Sequence, residues 1–366
     1  MKVAMLISGG VDSSVALKLA LDAGHEITAF YIKIWMEDKF SHLGKCPWEE
    51  DLAYVEKVCE KYKVPLEIIP LQKEYWQRVV KEAIEEVKAG RTPNPDMLCN
   101  ERIKFGVFYD YVGKNFDKIA SGHYAQVEAK DGQYYLKRAP DAIKDQTYFL
   151  AKLSQKQLAR VMFPIGHLAK SEVRALAGKF DLPNKDRKDS QGICFLGKIK
   201  YRDWLREHLG EKQGDILNKK TGEKMGEHDG FWYYTIGQRK DIKLSGGPWY
   251  VIDKDIDKNV IYIGLQDEVE VESKNEFLVE DMNWIPEKPS FAPSYAEATA
   301  GKKATEGKNL KVKIRHGEKF YNCKVGYLEE GRLKIKMDKG DQGLAAGQYA
   351  VLYDGQYCLG GGKIII

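Results

Sequence analysis

The apolar positions of this chain change their period twice. Up to about residue 125, short apolar runs alternate with stretches of helical period. "KVAMLIS" is the unbroken run of a buried strand, and "VDSSVALKLALDAG" has helical spacing and closes at Gly24. "EITAFYIKI" predicts a second strand, "EEDLAYVEKVCEKY" a helix and "PLEIIPL" a third strand. "KEYWQRVVKEAIEEVKAG" predicts a long helix ending at Gly90, and "DKIASGHYA" a further strand that runs into a polar turn. Such alternation predicts a parallel sheet with helices on both faces. Ligands of such sheets sit at the carboxyl ends of the strands.

From 150 to 208 the period is helical, in "SQKQLARVMFPIG", "AKSEVRALAGKFDLP" and "YRDWLREHLG". Beyond about 210, β-branched and aromatic residues are broken by Gly/Asp turns about every 8–12 residues, which predicts a small antiparallel β unit. From 276 onward "LKVKIRHG", "FYNCKVGYL", "GRLKIKMD", "QYAVLYDG" and "YCLGGGKIII" repeat that style and predict a second, barrel-like unit. "PEKPSFAPSYAEATAGKKATEGK" has no usable apolar period, so a surface insertion is expected near 293–308. The expected organisation is an α/β domain over 1–208 with a helical region from about 145, a central β domain over 209–275 and a C-terminal barrel over 276–366.

A chain of 366 residues exceeds one ordinary core, in keeping with that division. No apolar stretch reaches the roughly 18 residues a bilayer demands. The apolar run after Met1 is too short for a secretory signal, so the expected compartment is the cytoplasm, with no membrane partner. The net charge is only +4, but residues 151–210 hold thirteen Lys/Arg against six Asp/Glu. A basic stretch in a near-neutral chain fits either a polyanion partner or a solvated helical surface. The six cysteines are Cys46, Cys59, Cys99, Cys194, Cys323 and Cys358. They form no C-x-x-C, so a structural zinc site of the usual spacing is not expected.

The string "SGGVDSS", Ser8–Ser14, follows the first strand. A glycine-rich strand–helix turn offers backbone N–H groups and a helix N-terminus to an anion; the plain alternative is a capped turn. Neither G-x-x-x-x-G-K-[ST] nor G-x-G-x-x-G occurs here. The string resembles the pyrophosphate loop of the ATP pyrophosphatases, which places Ser8, Gly9, Gly10, Val11, Asp12, Ser13 and Ser14 on ATP, with Asp12 a candidate Mg²⁺ ligand. "GRTPNPDMLCN", residues 90–100, reads as a rigid loop that cannot continue a helix and carries Asp96 and Cys99. "DSQGICFLG" sets Cys194 in another glycine-flanked loop. Cys59 on a helix, and Cys323 and Cys358 on strands, read as packing residues, whereas Cys46 in "LGKCPW" stays open. Two loop thiols beside an AMP-forming loop suggest sulfur transfer, because thiolate attack on an S–S bond releases sulfur.

Taken together, "SGGVDSS", "GRTPNPDMLCN", "SGHYA", "KDQTYFL", "DSQGICFLG", "YTIGQRKD", "KIRHG" and "CLGGGKI" are similar, in order, to the tRNA-specific 2-thiouridylase family along essentially the whole chain. The resemblance implies an adenine-nucleotide α-hydrolase-like (PP-loop) fold and a tRNA-uridine 2-sulfurtransferase. Such an enzyme adenylates the O2 of a wobble uridine with ATP and delivers sulfur to C2 from a cysteine persulfide. It implies Cys194 as the persulfide carrier, Cys99 as its partner thiol and Asp96 as general acid/base. Asn94, Pro95 and Asp96 would line the target base. Ile32, through its backbone, and Gly122 would border ATP. His123, Lys144, Asp145, Gln146, Arg315, His316 and Gln348 would meet the tRNA. A sulfur donor protein, a cysteine desulfurase or a sulfur relay protein, would recharge the enzyme. The family carries an aromatic residue where His316 stands. Two other readings remain open: an amide- or argininosuccinate-forming ligase, which needs no cysteine pair, and a non-enzymatic RNA-binding module, against which the intact phosphate loop argues.

Overall fold

The strand that opens the chain, β1 (Lys2–Leu6), sends Ala4 and Leu6 into one core and Val3 and Met5 into another. That alternation is what a strand buried on both faces requires. In this computed structural model, residues 1–34, 48–189, 199–242, 244–271, 273–286, 310–328 and 331–366 are described. Cys46, Cys194 and the insertion expected near 293–308 lie outside the described residues.

After β1 come α1 (Val11–Asp22), β2 (Glu26–Lys33), α2 (Trp48–Tyr62) and β3 (Leu66–Pro70). A long helical stretch follows, with α3 (Gln72–Tyr75), a π-wound segment Trp76–Val80 and α4 (Lys81–Lys88). Next are α5 (Pro95–Cys99), a second π-wound segment Asn100–Val107, and α6 (Phe108–Tyr111). β4 (Lys118–Ala120), the strands β5 (Ala125–Lys130) and β6 (Gln133–Arg138), α7 (Thr147–Leu150), α8 (Gln155–Leu158), β7 (Val161–Met162), α9 (Lys170–Lys179) and α10 (Tyr201–Leu209) complete this part. Five strands pair in parallel in the order β3-β2-β1-β4-β7. The strand order reverses direction between β1 and β4, so the loops after these strands face one crevice.

Two local readings change here. "GRTPNPDMLCN" is not loop throughout: Asn94 caps a new helix by accepting from Met97 N at 3.1 Å, and Pro95 takes its first position, where proline is favoured rather than disruptive. A five-residue helix has no stability of its own. Met97 and Leu98 are buried, each worth roughly 1.5–3 kcal/mol, and that burial holds α5 in place. Val161–Met162, inside a stretch read as helical, is the edge strand β7, too short for its period to register.

The central unit comprises β8 (Gly214–Asn218), β9 (Lys224–His228), β10 (Tyr250–Asp255) and β11 (Val260–Gly264) in the order β10-β11-β8-β9. It is not wholly antiparallel, since β8 and β11 run parallel. After α11 (Gln266–Val271) come β12 (Lys274–Trp284), β13 (Leu310–Lys313), β14 (Tyr321–Tyr327), β15 (Leu333–Asp341), β16 (Tyr349–Asp354) and β17 (Tyr357–Ile365). They close into an antiparallel six-strand barrel through the pairing of β12 with β17. Gly360, at φ +127°, lets these strands meet, for a Cβ there would stand 1.9 Å from Asn283 O. The β5–β6 hairpin, drawn from the first domain, adds to this barrel through β6 and β17. Among the described residues no helix is long and apolar enough to cross a membrane.

Candidate active site

The turn after β1 is a cradle with its polar atoms in place. Gly9 adopts φ +75°, and a Cβ there would lie 2.5 Å from Asp51 O, so only glycine fits. Gly10 caps α1 with no side-chain hydrogen bond, and both Ser13 Oγ and Ser14 Oγ donate to Gly10 O, at 3.0 and 3.1 Å. Ser13 Oγ accepts from Ser8 N at 3.2 Å. Gly122, after β4, closes on this turn: its Cβ would stand 2.7 Å from Ser13 N. Ile32 lies two residues past Phe30, which pairs with Leu6 at the end of β1. Residues two apart on a strand present their backbone to the same side, so Ile32 offers its N–H and C=O beside the turn.

Asp12 in the first turn of α1 is already occupied. Lys170 Nζ lies 2.7 and 2.9 Å from its two oxygens, and Tyr124 Oη donates to it at 2.8 Å. Lys170 also pairs with Asp189 at 2.8 Å, as does Lys144 at 2.7 Å, and Arg174 joins them. Burial works to raise the Asp189 carboxyl, but the Lys144 and Lys170 ammoniums outweigh it and hold it far below the usual carboxylate range. From behind, Asn184 Nδ2 donates to Gly9 O at 2.8 Å and to Ser14 Oγ at 2.9 Å, and Arg187 Nη1 donates to Gly9 O at 3.0 Å. Lys170, Arg174 and Arg187 belong to the basic stretch that suggests a polyanion partner; Lys170 and Arg187 reach the turn after β1, and Arg174 ties Asp189 to the carbonyls of Lys185 and Arg187. Asp12 offers one carboxylate, the share of a Mg²⁺ site that a protein usually supplies beside substrate phosphates, and Lys170 holds both of its oxygens. Among the described residues no cluster of three or more ligating side chains exists.

The second group of residues forms around α5. Cys99 is buried, and its thiol is pushed up to about 11 by burial, with Lys104 opposing and Asp96 adding. Asp96 Oδ1 is buried with no hydrogen-bond partner, and so is Gln348 Oε1. The turn that carries Gln348 abuts the lead-in to α5: Thr92 N donates to Ala346 O at 2.8 Å. Asn100 Nδ2 donates to Phe149 O at 3.1 Å, and Tyr148 Oη donates to Tyr349 O at 3.0 Å. His316 stacks on Phe149 with ring centroids 4.6 Å apart and 26° between planes. Arg315, exposed, is held by Asp341 and by Gly343 O at 3.3 Å.

The segment after β4 joins the two groups. Gly122 touches the nucleotide turn and Tyr124 reaches Asp12, while the His123 ring lies between Phe105 and Phe163, at 6.1 and 5.7 Å. His123 is only 9% exposed. Burial, and then the charge of Lys104, holds its imidazole well below the ordinary range, so it is neutral, with Nδ1 2.7 Å from Ser121 Oγ. It stands as a strut between the two groups rather than on a surface. Gln146 Oε1 accepts from Tyr124 N at 2.9 Å. The Asp145 side chain, expected on tRNA, has no exposed surface and is answered by Arg138 at 3.1 Å, Lys313 at 3.5 Å and Thr147 Oγ1 at 2.9 Å. It ties α7 to the barrel. Of "KDQ", Lys144 and Gln146 retain partial exposure, Lys144 while paired with Asp189. Sequence reasoning alone does not single out Lys170, Tyr124, Asn184, Arg187 or Asp189; the charge-dense "NKDRKD" signals the last three, and "SGHYA" contains Tyr124.

Comparison with known proteins agrees with this layout. The family model described as tRNA methyl transferase HUP domain matches residues 1–198. Models described as tRNA methyl transferase PRC-barrel domain and Aminomethyltransferase beta-barrel domain match 202–265 and 274–364. The tRNA-specific 2-thiouridylase MnmA of Parabacteroides distasonis is 47% identical over 100% of this chain and 99% of its own length. MnmA 1 of Bacteroides thetaiotaomicron and MnmA of Porphyromonas gingivalis are 45% and 44% identical, each over 100% of this chain and 99% of its own length. Identity of this order, unbroken from the nucleotide turn to the barrel, makes the chain a member of the tRNA-specific 2-thiouridylase family.

Proposed function

We propose that the protein is a tRNA-uridine 2-sulfurtransferase that converts the wobble uridine of tRNA to 2-thiouridine, with ATP and tRNA as substrates. The observation that carries this reading is the segment Gly122–His123–Tyr124, which packs on the anion cradle through Gly122 and Tyr124 and, through His123 on Phe105, on the helical segment that continues from Cys99 and the half-buried Asp96. The Ser8–Ser14 turn and the N-terminus of α1 hold the phosphates, and Ile32 and Gly122 border the adenine nucleotide. Asp12 would hold a Mg²⁺ that neutralises phosphate charge, and Lys170, now paired with Asp12, would supply a second cation beside the phosphates. Asn94, Pro95 and Asp96 receive the base, splayed from the anticodon loop as RNA bases in single strands can be. Gln348, Arg315 and His316 flank it.

Uracil O2 attacks the α-phosphorus of ATP, pyrophosphate leaves, and Asp96 takes the N3 proton. The terminal sulfur of a Cys194 persulfide attacks C2, and AMP departs with O2. The Cys99 thiolate attacks the Cys194 sulfur, so the S–S bond breaks toward the base. Its electron pair becomes the C2 thiocarbonyl, Asp96 returns the proton to N3, and Cys99 and Cys194 are left as a disulfide for an external thiol to reduce. A sulfur donor protein then reloads Cys194. The test is mass spectrometry of wobble nucleosides after incubation with ATP, a cysteine desulfurase and unmodified tRNA. 2-Thiouridine with matching AMP and pyrophosphate is expected. A methylated nucleoside made from a sulfonium donor would replace this reading with methyl transfer.

A further inference from the structure

The central β unit carries none of the residues assigned so far, yet it grips the start of the segment that carries Asp96 and Cys99. Gly90 reverses the chain after α4 at φ +72°, with its N–H donating to Val87 O at 3.0 Å. Its carbonyl accepts from Lys254 Nζ of β10 at 2.7 Å, and the same ammonium donates to Tyr234 O at 3.0 Å. A Cβ on Gly90 would stand 2.4 Å from Ile256 Cδ1, so the reversal lies flush on the end of β10. Two residues on, Thr92 N meets the barrel at Ala346 O, and a Cβ on Gly347 would stand 2.8 Å from Arg91 Cβ. Two residues further, Asn94 caps α5. Three parts of the molecule thus hold one short segment at successive points.

Lys254 is an expensive choice for this contact. The ammonium donates to two backbone carbonyls, and burial lowers its pKa to about 8. Withdrawing an ammonium from water without a tightly paired carboxylate opposes stability. What the side chain gains is reach: from β10 it fixes two backbone carbonyls in different domains with one pair of hydrogen bonds.

We propose that Lys254 is a positioning residue for the Asn94–Cys99 helix, setting where Asp96 and Cys99 stand by holding the carbonyl of Gly90, so that the central β unit is part of the catalytic assembly. The proposal rests on the reading of Asp96 and Cys99 as reacting groups. Its test compares Lys254→Met and Lys254→Arg with wild type and with Lys258→Met, an exposed lysine on the neighbouring turn. One readout is single-turnover thiolation with ATP and tRNA varied; the other is the alkylation rate of Cys99 by iodoacetamide, followed by peptide mass spectrometry. Lys254→Met is expected to slow thiolation about tenfold to a hundredfold, the scale of a small misplacement, with the KM values of ATP and tRNA unchanged and Cys99 alkylated faster. Lys254→Arg, which keeps the charge and two donors, recovers most of the rate. If Lys254→Met is insoluble, Lys254→Gln carries the same expectation. Wild-type thiolation and wild-type alkylation in the folded variant overturn the proposal, as does a loss confined to the KM of tRNA. Full activity of Asp96→Asn and Cys99→Ser would defeat the functional reading instead, while the alkylation rate would still report on the grip of Lys254.

Discussion

The nucleotide turn and the α5 segment are built in opposite ways. Ser8–Ser14 comes from adjacent residues at one strand–helix junction, and its groups are answered: Asp12 by Lys170 and Tyr124, Ser13 and Ser14 by Gly10 O, Gly9 O by Asn184 and Arg187. The α5 segment is held by three domains and leaves Asp96 Oδ1, with Gln348 Oε1 of the adjoining barrel turn, buried and unanswered. A ligand at the first site must exchange partners with groups already paired. At the second it completes a site that is short of donors, and each unanswered acceptor costs about 1–3 kcal/mol until one arrives. On the proposed reading, the first arrangement suits a substrate shared by many enzymes, and the second would disfavour a base that cannot donate.

Breaking either side tests the contrast. Asp12→Ala is expected to abolish pyrophosphate release altogether, even with tRNA present, whereas Cys194→Ser still releases about one equivalent in a burst; a single-turnover assay that follows pyrophosphate and thiouridine separately decides it. Cys99→Ser abolishes thiolation, while Cys59→Ser, Cys323→Ser and Cys358→Ser, buried on α2, β14 and β17, leave it within about twofold and lower stability by about 1–3 kcal/mol, read by urea titration. Asp96→Asn slows the reaction about 10²–10⁴-fold, the usual worth of general acid/base help. Because burial holds the Cys99 thiol at about 11, its thiolate fraction is small at neutral pH and grows about tenfold per pH unit. Sulfur release measured over about two pH units above neutrality should climb with that slope while pyrophosphate release does not. Lys170→Gln is expected to weaken ATP binding about tenfold and leave tRNA affinity and its salt slope unchanged, by calorimetry and filter binding. A flattened salt slope would return this lysine to the tRNA surface.

The parts of this architecture that are legible in the sequence are the local ones. The turn after β1 shows itself because strand, glycines and helix follow one another within a few residues. The start of α5 is hidden because Pro93 and Pro95 read as breakers, although asparagine followed by proline is also how a helix begins. Asp145 sits in a charged string that reads as surface. It is buried because Arg138 and Lys313 answer it, and Lys313 comes from a strand far along the chain. Lys170 reads as one more cation on a basic helix, and only the packing of α9 beside α1 turns it toward Asp12. The misses at Asp145 and Lys170 are contacts between residues that no short window contains.

The β5–β6 hairpin has a consequence for how the chain comes to be folded. β6 is made early in synthesis, but its partner Tyr357–Cys358 on β17 is separated from it by well over half the sequence. Until β17 emerges from the ribosome, β6 has an open strand edge, the kind that pairs promiscuously with other chains. Contacts of such long range also form slowly. The nascent first domain is therefore the stage at which this protein is most exposed to aggregation, and a chain truncated before the barrel would retain that edge permanently.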